Sequence, residues 1–364
     1  MLAIADILRQ IKTKPPFTLY ERNIMTSLPV TELSYRPLQD LAMGPMKAAF
    51  LNMALELSIF DRLITPASAE AVARQLDTHP ANTRRLLDGL ATLDLVDKKE
   101  GHYTNAPLAA TFLVTHSPQC IAPLLTQVQN PRINPLEALQ TLIKKGPKAM
   151  EDSLDMADES LWAEEVKASS GWLLGGVGGM VSEIIKKQPG FSEWRTMLDM
   201  GCGHGVFSLY ILEKSPELRG VLMDREGVLR VTETIIKSYG GKERISYQPG
   251  DYLTDDLGKG YDLIFASATL NFARGCLDTM LEKIHGALNP GGCFISFQDG
   301  LTHEQTKPDT MFGSIIPCMM MDLDYCFDQG EIADAAIRAG FQNVRSKTLA
   351  TPIGEMELDI ARKA

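Results

Sequence analysis

Apolar positions change their period along the chain, and each change marks a new kind of element. Residues 1–40 are interrupted by Lys14-Pro15-Pro16 and Leu28-Pro29, breakers that allow only short helices, and read as an arm. From Leu41 onward, Met46, Ala49, Phe50, Met53, Ala54 and Leu57 recur at helical spacing, and Ile59-Phe60-Asp61-Arg62-Leu63 continues the face. That spacing predicts a buried, methionine-rich helix. Ser68 can cap a helix from Ala69 to Leu76, Pro80 opens a second one through Leu90, and Lys98-Lys99-Glu100-Gly101 turns a short hairpin between Leu95-Val96-Asp97 and His102-Tyr103-Thr104. Helix, turn, helix and hairpin in this order predict a winged helix over 41–118.

Residues 107–190 carry helical patterns broken by Pro131, Pro135 and Pro147, with Trp162 and Trp172 on the later helices. Gly175-Gly176-Val177-Gly178-Gly179 inside an apolar helical stretch is costly, about 1 kcal/mol per glycine against alanine. Either helices approach closely there or the chain bends around a ligand. We read 119–190 as a helical connector that contributes to a substrate pocket.

From Thr196 the period shortens. The runs at 197–200, 220–224, 245–248, 261–265 and 293–297 are short and apolar, and the segments 207–214, 228–239 and 278–288 between them are helical. This alternation predicts an α/β fold over 191–364, a doubly wound, mainly parallel sheet covered on both faces. Ligands of such sheets sit beyond the carboxyl ends of the strands.

Composition narrows the chemistry. Among 364 residues, 45% are hydrophobic and 23% charged, an ordinary globular balance, and the formal net charge is −10. Arg84 and Arg85 on the second winged-helix helix raise the prospect of DNA contact. Phosphate binding needs clustered basic charge that an acidic chain lacks, so nucleic acid is not the expected partner. No apolar run approaches the roughly 20 residues that span a bilayer. The opening residues have an acid, Asp6, where a signal peptide carries positive charge. Cys120, Cys202, Cys276, Cys293, Cys318 and Cys326 are scattered without a Cys-x-x-Cys pair, which argues against a disulfide framework or a zinc site and for the reducing cytoplasm.

The most informative stretch is Leu198-Asp199-Met200-Gly201-Cys202-Gly203-His204-Gly205, between a strand and a helix. Glycines at 201, 203 and 205 let the backbone turn tightly and approach a ligand closely. Asp224, ending the next strand, can accept both ribose hydroxyls of a nucleoside. A dinucleotide is the competing ligand, but its usual loop is Gly-x-Gly-x-x-Gly, and position 206 here is valine. Asp199, just before the turn, suits an α-amino group better than a phosphate. Gly250-Asp251-Tyr252 follows the third strand and offers Asp251 to an adenine amino group, with Tyr252 as an apolar face.

Together with Leu288-Asn289-Pro290-Gly291-Gly292, these residues resemble the successive motifs of class I methyltransferases. With the winged-helix region and Ile337-Arg338-Ala339-Gly340-Phe341, the order is similar to the plant-type and bacterial small-molecule O-methyltransferases that carry an N-terminal dimerisation domain. The resemblance covers roughly residues 41–362. It implies S-adenosylmethionine as cofactor, a small-molecule acceptor and a homodimer. Asp199, Gly201 and Gly203 would surround the methionine part with Gly205 in the same loop, Asp224 would bind the ribose, and Asp251 and Tyr252 the adenine. Ser267 lies where a further cofactor contact falls. Cys202 and His204 occupy variable loop positions, with no partner at metal-ligand spacing.

The chain departs from that family at the chemistry. The resemblance implies a His-Asp pair after the fourth strand, the His taking a proton from the attacking hydroxyl. Here Asn271 and Phe272 stand in those places, and the carboxylate that would orient the base is Gln298, with Asp299 beside it. Amides position a substrate but accept no proton at neutral pH. Either another base serves, with Asp299, His303 and Glu304 as candidates, or the acceptor is a thioether, thiolate, amine or acidic carbon for which positioning and desolvation suffice. In lacking the His the chain looks like the bacteriochlorophyll-type carbon methyltransferases. A cofactor-binding protein without methyl transfer is the alternative. Trp172 and the methionine-rich segment with Met311, Phe312, Met320 and Tyr325 are the expected substrate-facing residues.

Overall fold

The structure is a computed structural model that describes residues 31–128, 130, 135–147, 159–240 and 242–364. The breaks read at Lys14-Pro15-Pro16, Leu28-Pro29 and Pro131 lie outside them. The described residues divide into two units, with the boundary between Ala49 and Phe50. The first described helix, Arg36–Glu56, therefore starts within the expected arm and ends in the second unit. The expectation that its methionines are buried is not met within one chain, where Met46, Phe50 and Met53 are exposed.

The winged helix is present. β1 (Ala67–Ser68), β2 (Val96–Lys99) and β3 (His102–Asn105) form a sheet in the order β1-β3-β2, all antiparallel. Ser68 caps the helix Ala69–Leu76 by accepting the Ala71 amide at 3.2 Å, and proline begins the helix Pro80–Thr92, as their sequences require. Phe60, Leu63, Val72, Leu87, Leu90 and Tyr103 form its core. Arg84 pairs with Asp88 at 3.1 Å, and Arg85 donates to the Ala81 carbonyl and Asn82, so both cations are engaged within their own helix.

Helices Pro107–Phe112, Ala122–Gln127, Leu139–Lys145, Glu159–Trp172 and Gly178–Lys186 follow. Gly171 and the glycine cluster at 175–179 split into separate roles. A Cβ on Gly171 would lie 2.4 Å from the Cys120 carbonyl oxygen, and one on Gly178 would lie 2.3 Å from the Tyr210 ring, so these two admit close approach. Gly176 takes φ 124° in a π turn, Leu173–Val177.

β4 (Thr196–Met200), β5 (Arg219–Asp224), β6 (Ile245–Pro249), β7 (Tyr261–Ser267), β8 (Leu288–Gln298), β9 (Gln342–Thr351) and β10 (Gly354–Arg362) make one sheet in the order β6-β5-β4-β7-β8-β10-β9. β4 to β8 are parallel, while β10 runs antiparallel to both β8 and β9. Phe265, Ile295, Phe297 and Leu358 pack one face against Val181, Ile185, Phe207 and Ile211. On the other face Ile264, Ala266 and Phe294 meet Met280, Leu281, Ile284 and Ala335. Strand order reverses beside β4, and a crevice opens there at the carboxyl ends. No helix among the described residues is long and apolar enough to cross a membrane.

Candidate functional site

The glycine loop hangs from β5 by its backbone. The amides of Gly201 and Cys202 both donate to the Met223 carbonyl, at 2.9 and 3.1 Å. Gly201 has φ 67°, and a Cβ there would fall 2.6 Å from the Thr269 methyl, so both conformation and space require glycine. Gly205 serves packing instead: its Cβ would meet Leu222 and Thr232 at 2.9 Å, and it does not line the crevice.

The crevice is a cavity of about 510 Å³ lined by Asp199, Gly201, Gly203, Asp224, Asp251, Tyr252 and Ser267, together with residues from a facing helix. Asp199 is buried with Ser208 Oγ donating to it at 2.6 Å, and burial lifts its carboxyl to about 7. Asp224 accepts the Gly203 amide at 2.9 Å and the Arg225 amide at 2.8 Å, and desolvation raises its carboxyl. Asp251 accepts the Leu253 amide at 2.9 Å. Tyr252 donates its hydroxyl to the Thr269 carbonyl at 3.1 Å, which fixes the ring between the end of β6 and that of β7. Thr269 in turn donates to the Met200 carbonyl at 3.1 Å. His204 lines the cavity as a neutral imidazole: its Nδ1 accepts the Val206 amide at 3.2 Å, and burial lowers it to about 4.

These groups fit the expected cofactor. A desolvated carboxylate such as Asp199 is stabilised by an ammonium, and the remaining lone pairs of Asp224 suit a diol. A pyrophosphate would instead meet carboxylates from the ends of β4, β5 and β6. Among the described residues no cluster of three His, Cys, Asp or Glu is arranged to hold a metal ion.

The facing wall comes from the helix Glu159–Trp172. Trp162, Glu165, Val166, Ser169 and Trp172 share one face at i, i+3, i+4, i+7 and i+10 and all line the cavity. Trp162 stands edge-on to Phe272 at 5.3 Å; Trp172 is edge-on to Phe207 at 6.0 Å and stacked on Phe297 at 6.4 Å. Of the expected substrate residues only Trp172 is here. Met311 lines a separate cavity of about 400 Å³ with Cys318 and Cys326, Phe312 is exposed, and Met320 packs on Leu142 and Ile316.

Asn271 and Asp299 converge on Tyr325 and Cys326, Gln298 ends β8 opposite Glu357, and none of the three lines the cofactor cavity. Asn271 Nδ2 donates to the Tyr325 carbonyl at 3.0 Å, and its buried Oδ1 finds no partner among the described residues, nor do the two amide atoms of Gln298. Burial raises the Asp299 carboxyl, which lies beside the Cys326 thiol, itself pushed by burial to about 12. His303 and Glu304 lie on an exposed turn with φ 53° and 55°. Sequence reasoning missed Glu165, Phe207 and Thr269, and it named Trp162 and Phe272 without setting them on the cofactor cavity. The helical spacing from Trp162 to Trp172 was the one available signal, and it does not say what that face meets.

Comparison with known proteins agrees with this geometry. Residues 39–115 match the O-methyltransferase dimerisation domain, and residues 198–294 a methyltransferase domain. An uncharacterized protein of Methanocaldococcus jannaschii is 27% identical over 68% of this chain, and the match spans 65% of that protein, just under two thirds of its length. The acetylserotonin O-methyltransferase of Rattus norvegicus is 25% identical over 90% of this chain and 77% of its own. The N,N-dimethyltransferase OxyT of Streptomyces rimosus is 24% identical over 75% and 81%. The solved structure of human N-acetylserotonin methyltransferase in complex with SAM superposes with a TM-score of 0.75 at 22% identity, covering 92% of this chain and 99% of that one.

Proposed function

We propose that this S-adenosylmethionine-dependent methyltransferase, built from an O-methyltransferase dimerisation domain and a Rossmann-like catalytic domain, methylates a small aromatic or otherwise flat apolar molecule. The observation that carries this reading is the wall of Trp162, Trp172, Phe207 and Phe272 on the same cavity as the cofactor residues. Aromatic side chains enclosing a cavity favour stacking with a flat ligand and exclude water from it.

When bound, S-adenosylmethionine supplies a methyl group on a positively charged sulfur, which leaves as S-adenosylhomocysteine. Asp199 would hold the ammonium, Asp224 the ribose, and Asp251 with Tyr252 the adenine, with Gly201, Gly203 and Ser267 in backbone or close contact. Asp199 and Asp224 are desolvated, and a cation restores part of the stabilisation they lose on burial. The aromatic wall would orient the acceptor and keep water from the methyl, two substantial catalytic terms.

The acceptor atom is oxygen, or nitrogen, sulfur or carbon, because Asn271 in the place of the usual base holds a backbone carbonyl and cannot take a proton. Relatives named as O- and N-methyltransferases support that breadth. The helical connector at 119–190 is read as the acceptor wall. The 39–115 domain, with Phe50 and Met53 exposed, is read as the homodimer contact. Calorimetry with S-adenosylmethionine and a screen of phenols, arylamines and thiols for S-adenosylhomocysteine release test the reading. Cofactor binding with no release from any acceptor class would favour the alternative of cofactor binding without methyl transfer.

A further inference from the structure

Glu165 is a cavity-lining carboxyl that the cofactor assignment leaves unused. It projects from the aromatic face of the helix Glu159–Trp172, between the turns that carry Trp162 and Val166–Ser169. Asp199, Asp224 and Asp251 belong to the strand ends, and each is already bonded to a hydroxyl or a backbone amide of that side. Gln127 is a polar neighbour of Glu165, and its buried Nε2 faces the carboxyl as a hydrogen-bond donor that favours the ionised form. Burial raises the Glu165 carboxyl above its usual range. Charged and titratable groups lining the cavity with Glu165 are Asp199, Cys202, His204, Asp224, Arg225, Asp251 and Tyr252. Of the helices packed on Glu159–Trp172, Ala122–Gln127 brings none, whereas Glu226–Tyr239 carries Glu226, Arg230, Glu233 and Lys237.

We propose that Glu165 is the catalytic base that faces the acceptor atom, in place of the missing histidine at 271. The proposal rests on the methyltransferase reading of the same cavity. Glu165 takes the proton of an acceptor O–H or N–H while that atom's lone pair forms the bond to the methyl. The S–CH₃ bonding pair returns to sulfur, and Glu165 later releases the proton to solvent. A carboxyl raised by burial is better matched to a weakly acidic hydroxyl than an exposed one, and a neighbouring sulfonium favours its ionised form.

Sinefungin tests this without knowledge of the acceptor, because it carries an amine where the reactive methyl sits, whereas S-adenosylhomocysteine carries nothing there. Calorimetric titration of wild type should show tighter binding of sinefungin, with an advantage that grows with rising pH as the carboxyl, raised by burial, ionises. Glu165→Gln should lose that advantage by at least about tenfold and keep only the pH dependence that Asp199 and Asp224 give wild type and variant alike, while its affinity for S-adenosylhomocysteine stays within about twofold. Glu165→Asp, which keeps the charge, should retain part of it.

An undiminished sinefungin advantage in Glu165→Gln overturns the proposal, since the carboxyl then does not face the methyl. A parallel fall for both ligands also overturns it, assigning Glu165 to the cofactor or to the fold. Failure of S-adenosylhomocysteine to bind wild type would instead overturn the cofactor reading.

Discussion

The two sides of the cavity are built by different physics. On the strand side, polar groups are fixed by the backbone: Asp224 grips the Gly203 and Arg225 amides, the loop hangs from the Met223 carbonyl, and Tyr252 is tied to the Thr269 carbonyl. On the helix side, Trp162, Val166 and Trp172 give shape, and Glu165 is the acid among them. The first side is suited to one ligand whose charges never change. The second can be altered residue by residue without disturbing the strands, as its proposed role in acceptor choice requires.

Substitutions on the strand side should therefore reach furthest. Asp224→Ala removes the acceptor of two backbone amides and the expected ribose partner, so S-adenosylmethionine affinity measured by calorimetry should fall by about 3 kcal/mol, roughly a hundredfold. Unchanged affinity would remove Asp224 from the site. Gly201→Ala, strained at φ 67° and crowded by Thr269, should lower both cofactor affinity and thermal stability, the latter by about 1–3 kcal/mol in chemical denaturation.

Changes on the helix side should separate acceptor from cofactor. Trp162→Ala takes away the edge-on partner of Phe272 and should weaken acceptor binding by about 2 kcal/mol, seen as a raised KM, while S-adenosylhomocysteine titrates as in wild type. A cofactor defect of equal size would erase the distinction between the two sides.

The sheet supplies a control of carboxyls that line neither side. Glu357 and Asp359 on β10 are buried, and desolvation raises them to about 7 and about 6, from 4.5 and 3.8. Folded values above the unfolded ones mean that their favourable contribution is full below the unfolded pKa and is lost as pH rises through the folded pKa. Unfolding free energy should thus decline from about pH 4 to about pH 7 on their account. In the Glu357→Gln, Asp359→Asn variant, denaturation across that window should show a decline smaller by about 1–2 kcal/mol, with cofactor affinity untouched. An identical slope in both proteins would contradict the burial argument.

The contrast also explains what could be read from the chain. Glycine at 201 and carboxylates at 199, 224 and 251 are dictated by turn geometry and strand ends, and local sequence exposes both. The winged helix was legible from Ser68, Pro80 and the turn at 98–101 for the same reason. β9 and β10 were not recognised because Glu357 and Asp359 point inward on β10 and β9 is largely exposed, which cancels the apolar alternation. Glu165 was missed because a glutamate on a helix is ordinarily solvated, and only the tertiary arrangement turns that face onto the cavity. Asn271 was placed in register with the family's base, yet its amide is drawn to the Tyr325 carbonyl, a contact separated by 54 residues that no local pattern announces.

The most direct test of the account is a crystal structure with S-adenosylhomocysteine bound. The ribose hydroxyls should lie on Asp224, the ammonium on Asp199 and the adenine beside Asp251 and Tyr252, with the sulfur open toward Trp162, Glu165 and Trp172. An adenosine seated elsewhere, or a sulfur turned away from that helix, would contradict it.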